Sequence, residues 1–411
     1  MYSFSGHALL IFYFFAAIAI FLGLMSLRGG VRFVRYLQSE LEKELADFAP
    51  PATVFVPCRG VDQDLSENIT ALFAQDYPSF EIILVSDRSD DPAFALVEAA
   101  RRAFAGGSGP TLRFVVAGAA TDSGQKVHNL RVAVQEADPK SEVLVFVDTD
   151  ARPQPFWLRE LVAPLSDERI GAATGYRWFL PVQGGFASHL RSVWNAAIAS
   201  ALGADEKKNF CWGGSTAIRR ATFESANVID FWRGTVSDDF AMTHALHATG
   251  LLIKFVPQCL TPCFEDCSLY ELIEFTTRQL KITRAYARRL WKTVLSGSLI
   301  FVLAFFGGIA LVIARASLGL SFAAPLFLVL LMFAMGAMKS HLRLRAVVAV
   351  IRSEKAGSLT ATFAHVTLWP IASALYLCNA IAAFSRRITW RGITYELKSP
   401  NETVIIRREN D

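Results

Sequence analysis

The chain is short of charge. Only 19% of its 411 residues are Asp, Glu, Lys or Arg, against 53% hydrophobic, a balance too apolar for an ordinary soluble enzyme. The net charge is just +4. The basic residues gather beside apolar runs, as membrane flanks do, which speaks against nucleic acid as a partner. Cysteine is sparse, at 6 residues, so a dense disulfide framework of the secreted kind is excluded and reduced thiols in a cytosolic compartment are expected. Cys259, Cys263 and Cys267 recur at a spacing of four, which would suit a metal cluster, but Pro262 interrupts the run and no histidine joins it. Internal repeats and low-complexity segments are missing. Gly106-Gly107-Ser108-Gly109-Pro110 reads as a surface turn.

Long apolar runs are present instead. Ala8 to Leu27 is uncharged and long enough to cross a bilayer as a helix. It lacks the basic start and small-residue cleavage site of a signal peptide. Arg28, Arg32 and Arg35 follow directly, so the positive-inside rule places the next domain in the cytoplasm. Leu295 to Ala314 and Ser317 to Met338 read as a helical hairpin, and Thr360 to Phe384 as a weaker third segment with His365, Pro370 and Asn379. Lys339, Arg343, Arg345, Arg352 and Lys355 make the loop between the last two cytoplasmic, with His341 to Ile351 as an amphipathic stretch. The tail after Phe384 is basic as well (Arg386, Arg387, Arg391). Either that tail lies outside despite its charge, or Thr360 to Phe384 re-enters or lies in the interface.

Between these blocks strands and helices alternate. Thr53–Cys58, Glu81–Ser86, Leu112–Ala117 and Val143–Val147 are short, apolar and rich in β-branched residues. Leu65 to Gln75, Ala93 to Ala103 and Gln125 to Glu136 have helical patterns. This rhythm predicts a mostly parallel sheet with crossover helices, in which ligands bind beyond the C-terminal strand ends.

Acidic residues stand at those ends. Asp87 follows the second strand, and Asp148-Thr149-Asp150 follows the fourth. An Asp-x-Asp there can share one hard cation, Mg²⁺ or Mn²⁺, with a diphosphate; aspartates also fill turns and cap helices. Asp238 and Asp239 open a helix over Phe240 to Ala248, either as an acidic first turn or as a general base. Arg278, Lys281 and Arg284 share a helix face, either solvated or poised to clamp a departing nucleotide diphosphate.

Taken in order, these elements resemble the family-2 type glycosyltransferases of GT-A fold, and most closely the ceramide glucosyltransferase-like family 21. The matching residues are Asp87, Asp148/Asp150, Asp238-Asp239, and Arg278-Gln279-Leu280-Lys281-Ile282 for the (Gln/Arg)-x-x-Arg-Trp motif. Further matches are Val56-Pro57-Cys58-Arg59-Gly60, Gln125-Lys126-Val127-His128-Asn129-Leu130, Gly213-Gly214-Ser215 before Arg219-Arg220, and Ile388-Thr389-Trp390-Arg391-Gly392 with Tyr395 and Leu397. Lys281 and Ile282 depart from the family's Arg and Trp.

The resemblance implies an α/β GT-A nucleotide-sugar-binding domain, with a mostly parallel sheet and helices on both faces, plus N- and C-terminal transmembrane helices. The expected divisions are an anchor over 1–30, the catalytic domain over 50–292, membrane helices over 293–385 and a basic tail over 386–411. It implies an inverting, metal-dependent transfer of a hexose from a UDP-sugar to a membrane lipid such as ceramide. Pro57, Arg59, Asp87 and Lys126 would bind the donor. Asp148 and Asp150 would hold the cation, and Arg278, Lys281 and Arg284 the leaving diphosphate. Asp239 would be the catalytic base, with Asp238, Gly214 and Ser215 on the acceptor side. The enzyme would be a multi-pass membrane protein of a bacterial inner membrane or of the Golgi or ER. Open alternatives are a hopanoid or other lipid acceptor, a processive polysaccharide synthase, or a catalytically silent membrane scaffold.

Overall fold

The structure, a computed structural model, describes residues 2–104, 109–351 and 353–409. Gly106 to Ser108 of the expected surface turn, and Arg352 of the expected basic loop, lie outside the described residues. The chain divides into two compact units. One comprises Leu37–Val182, Ala201–Glu265 and Arg386–Asp411; the other comprises Met1–Tyr36, Gln183–Ser200 and Asp266–Ser385.

The first unit is built on a seven-stranded sheet of order β3-β2-β1-β4-β6-β5-β7. Its strands are β1 (Ala52–Pro57), β2 (Phe80–Ser86), β3 (Thr111–Val116), β4 (Val143–Val147), β5 (Ile170–Phe179), β6 (Ser215–Arg219) and β7 (Leu252–Cys263). The first four match the expected runs to within a residue at each end. They pair in parallel, and β5 pairs with β7 in parallel; β6 alone runs antiparallel to both its neighbours. The four parallel strands are continuous β-branched runs because β1, β2 and β4 are covered on both faces. On one face Val54, Val56, Ile82, Leu84 and Val145 meet Leu65, Ile69 and Val97 from the crossover helices. On the other, Phe55, Phe146 and Ile83 meet Leu130, Phe223 and Trp232. Each such side chain contributes about 1.5–3 kcal/mol by burial.

Residues from Arg386 on, read from the sequence only as a basic tail, carry three strands in this same unit. They are β8 (Arg387–Trp390), β9 (Ile393–Ser399) and β10 (Glu402–Arg408), in antiparallel order β10-β9-β8. Ile393, Tyr395 and Leu397 alternate inward at 0%, 1% and 3% exposure, the period-two pattern of a half-buried strand.

The second unit is helical. Three helices, Gly6–Leu41, Arg288–Ser317 and Ala323–Ile351, are long and apolar enough to cross a membrane, and Leu359–Thr367 with Trp369–Ala382 forms a pair bent by 56°. The expected amphipathic stretch His341 to Ile351 is the continuous C-terminal end of the helix Ala323–Ile351. Phe12, Ala16, Phe305, Val329 and Met332 form one buried cluster of this unit; Leu190, Trp194, Leu272 and Trp291 belong to another.

Candidate active site

The strand ends of the sheet carry the polar cluster. β4 stops at Val147, and its loop delivers Asp148 and Asp150. Arg177, on β5, bridges both carboxylates: its guanidinium donates to Asp150 Oδ2 at 2.9 Å and to Asp148 Oδ2 at 3.0 Å. Its Cζ lies 4.9 Å from the centroid of the Trp212 ring. Lys126, on the helix Gln125–Gln135, donates to Asp148 Oδ1 at 2.7 Å and stands 3.4 Å from Asp238 Oδ1. Two cations therefore hold three carboxylates in one cluster, with Asp238 buried and the other members half-buried.

The charge states follow from that imbalance. Burial works against the charge of Asp148, but Lys126 and Arg177 outweigh it and hold the carboxyl below its ordinary range. Burial raises Asp150 despite Arg177. Burial also pushes Asp238 up to about 6; Lys126 opposes the shift, and Asp239 and Asp148 add to it. Burial disfavours the Lys126 ammonium, yet Asp148 and Asp238 more than compensate and keep it above the usual lysine range.

The two glycines before β6 permit this crowding. A Cβ on Gly213 would lie 2.0 Å from Asp238 Oδ2, and one on Gly214 would lie 2.2 Å from Trp212 Cζ2 and 2.7 Å from Asp148 Oδ2. Glycine at these positions is a packing requirement. Ser215, expected on the acceptor side, is fully buried on β6 and accepts a hydrogen bond from Trp157 Nε1 at 2.8 Å. It shapes the sheet and does not line an opening.

Ser237 caps the helix Asp238–Ala248 by accepting from Phe240 N, and it donates to Asp239 Oδ1. Asp238 is 5% exposed and turned under Lys126, whereas Asp239 is half-buried. Asp239 is the more exposed member of the pair.

At the neighbouring strand ends, Arg59 donates to Asp87 Oδ2 at 2.6 Å, two residues beyond Pro57 at the end of β1. Asp91 ties the loop down: it accepts from Ser86 Oγ at 2.6 Å, from Gly60 N at 3.0 Å, and from Ala93 N at the start of its own helix. Asp62 accepts from Thr149, the middle residue of the Asp-x-Asp, and from Arg391. Arg391 and Gly392 have φ values of 50° and 72° and form the two-residue turn between β8 and β9, the geometry of a primed hairpin turn. Arg408 donates to Ala120 O at 2.6 Å and to Gln125 Oε1 at 3.1 Å, and Gln125 N donates to Tyr395 Oη at 3.1 Å. The tail sheet is thus fastened to the loop and helix start that carry Lys126.

Arg278, Lys281 and Arg284 belong to the helical unit. Arg278 pairs with Glu274 at 3.6 Å. Arg284 donates to Ala383 O at 3.1 Å and Phe384 O at 3.2 Å, closing the C-terminal end of the helix Trp369–Ala382. Ile282 is 7% exposed.

Among the described residues no three His, Cys, Asp or Glu side chains gather to hold a metal, so Cys259, Cys263 and Cys267 form no cluster. The Asp148/Asp150 pair fits a cation shared with a diphosphate: Asp150 Oδ1 is buried with no hydrogen-bond partner, a hard oxygen with lone pairs to spare. Arg177 is the site residue that sequence reasoning missed. Its signal was there, because it is the single charged residue in the strand Ile170–Phe179.

The profile described as glycosyl transferase family 21 matches residues 11–403. Among solved structures, the chain is similar to a mannosyltransferase from Pyrobaculum calidifontis in complex with GDP-Man and Mn²⁺, with 18% identity, 90% of this chain and 97% of that chain covered, and a TM-score of 0.47. It is also similar to glucosyl-3-phosphoglycerate synthase from Mycobacterium tuberculosis in complex with Mn²⁺ and UDP-glucose, with 15% identity, 62% and 82% covered, and a TM-score of 0.37. The family match spans both the sheet-bearing unit and the apolar helices, and the chain belongs to glycosyl transferase family 21, with a GT-A fold.

Proposed function

We propose that this glycosyltransferase moves one hexose from a nucleotide diphosphate sugar, UDP-linked, to a hydroxyl of a membrane lipid such as ceramide, with inversion. The observation that carries the reading is the Asp148–Arg177–Asp150 bridge beyond β4, with Lys126 linking it to the Asp238-Asp239 pair. It gathers a cation seat, two fixed positive charges and a candidate base in one unit of the chain.

In this reading Pro57, Arg59 and Asp87 bind the nucleoside and Lys126 lies by the phosphates. Asp150 and Asp148 would hold Mg²⁺ or Mn²⁺, which supplies charge neutralisation on the leaving diphosphate. Asp239 takes the proton of the acceptor hydroxyl as its oxygen bonds to the anomeric carbon. The bond from that carbon to the diphosphate oxygen breaks with its electron pair. A single displacement of this kind inverts the configuration. Gly214 leaves room for the buried Trp212 ring, which packs against Arg177. Within the helical unit, Arg278 is paired with Glu274 and Arg284 is engaged at a helix end.

The apolar helices would anchor the enzyme, with the catalytic unit cytoplasmic because Arg28, Arg32 and Arg35 follow the first of them. Strands β8–β10 hydrogen-bond to Gln125, Ala120 and Asp62, so the tail shares a side of the membrane with the site. An even number of crossings must then separate them. We therefore read the bent pair Leu359–Thr367 and Trp369–Ala382 as re-entrant or interfacial.

Membranes containing the protein, given labelled UDP-hexose and then extracted, test the function. Label in the lipid fraction supports it. Label only in insoluble polymer would replace it with a processive synthase, and no transfer with a silent scaffold.

A further inference from the structure

The helical unit contains a buried cation that no acid neutralises among the described residues. Arg343 is 4% exposed. Its one hydrogen bond is from Nη1 to Ser200 Oγ, at 3.4 Å, and its Nε has no partner. Lys339, one turn earlier on the same helix, donates to Ser26 Oγ. The sequence supplies no counter-charge nearby, since no Asp or Glu occurs between Glu274 and Glu354. The other acids of this unit are committed elsewhere: Asp266 accepts from the Gln183 and Gly184 amides, Glu271 closes a capping box with Ser268, and Glu274 pairs with Arg278. Glu354 is exposed.

An isolated ion buried in a medium of low polarity is costly, and buried guanidinium groups persist where an anion meets them. Here three helices meet around the position. Arg343 comes from Ala323–Ile351, Ser192 from Phe186–Ala199, and His365, whose Nε2 is 3.4 Å from Ser192 Oγ, from Leu359–Thr367. Arg343 is within electrostatic reach of His365 and of Tyr376. Nearby, the Nε1 of fully buried Trp194, stacked on Tyr376, is another donor without an acceptor. What is missing is an acceptor carrying negative charge.

The surroundings indicate that this acceptor belongs to an amphiphile. Arg343 lies eight residues before the end of a helix long enough to cross a bilayer, about 12 Å along its axis at 1.5 Å per residue. That is the depth of a headgroup and its first methylenes when the helix end lies at the surface. The short helix that brings His365 also presents Leu359 and Phe363, 90% and 70% exposed, a surface for acyl chains.

We infer that Arg343, with His365 and Ser200 around it, forms a binding site for the anionic headgroup, phosphate or carboxylate, of a membrane lipid. The site rests on the membrane reading above but not on the transfer reaction, and it is distinct from the Asp148/Asp150 cluster.

The test uses the full chain in detergent with equal amounts of phosphatidylglycerol and phosphatidylcholine, scored by native mass spectrometry. The wild type is expected to retain the anionic lipid about tenfold over the zwitterionic one. Arg343→Met should lose the preference and Arg343→Lys keep part of it. Equal retention of the two lipids by the wild type would overturn the site without any variant, so a misfolded Arg343→Met leaves the test intact. Displacement of phosphatidylglycerol by millimolar inorganic phosphate would overturn the lipid assignment in favour of a soluble anion. Sugar transfer is not scored, so failure of the transfer reading leaves this result standing, and the reverse.

Discussion

Arg391 donates to Asp62, a residue 329 positions earlier in the chain, and Asp62 in turn holds Thr149 between the two aspartates of the Asp-x-Asp. The hairpin turn of the tail is thereby connected to the loop that carries Asp148 and Asp150. Arg391 is 45% exposed along its side chain, so its ion pair contributes about 1 kcal/mol or less to stability. Arg391→Ala should therefore raise the KM for the donor several-fold at a nearly unchanged melting temperature. Unaltered donor kinetics in that variant would separate the tail from the site.

Arg177→Met should leave Asp148 and Asp150 half-buried side by side with only Lys126 to offset them. Removing one partner of a buried ion network typically costs about 3–5 kcal/mol. Millimolar Mn²⁺ should raise the melting temperature of this variant more than that of the wild type, because the cation replaces the lost guanidinium. Equal shifts would show that Arg177 and the cation do not address the same carboxylates.

Chelation should stop transfer, and Asp150→Ala should not recover with millimolar Mg²⁺ or Mn²⁺, since Asp150 Oδ1 is the buried oxygen left without a partner. Full activity in chelator would refute a cation at this site.

Protease applied to sealed, right-side-out vesicles should spare both residues 52–290 and an epitope placed after Glu409. Loss of the epitope alone would mean that the bent pair Leu359–Thr367 and Trp369–Ala382 crosses the membrane as one span.

Much of this was legible in sequence because the parallel strands are continuous β-branched runs and their ends carry aspartates. Val143–Val147 was legible to the residue, with Asp148 directly after it. β5 and β7 were not. Gly171, Gly175 and Pro257 interrupt their apolar pattern, and the partner of Arg177 is fixed only when β5 reaches the sheet beside β6. The tail was obscured by its charge: Arg386, Arg387 and Arg391 read as a membrane flank, while the alternation of Ile393, Tyr395 and Leu397 marked a strand. Ile282, which stands where the family has Trp, is buried in the helical unit. Its size bears on packing there, so single addition rests on the lipid nature of the acceptor.

The most direct measurement is the mass spectrum of lipid recovered after purified, reconstituted protein is given UDP-glucose, Mn²⁺ and ceramide. Wild type should yield ceramide heavier by one hexose, and Asp239→Asn should slow that product by about 10²–10⁴-fold while still binding the donor. No hexosylated lipid from any acceptor offered, a ladder of glycan masses, or near-normal turnover by Asp239→Asn would contradict a single-addition lipid glycosyltransferase with Asp239 as its base.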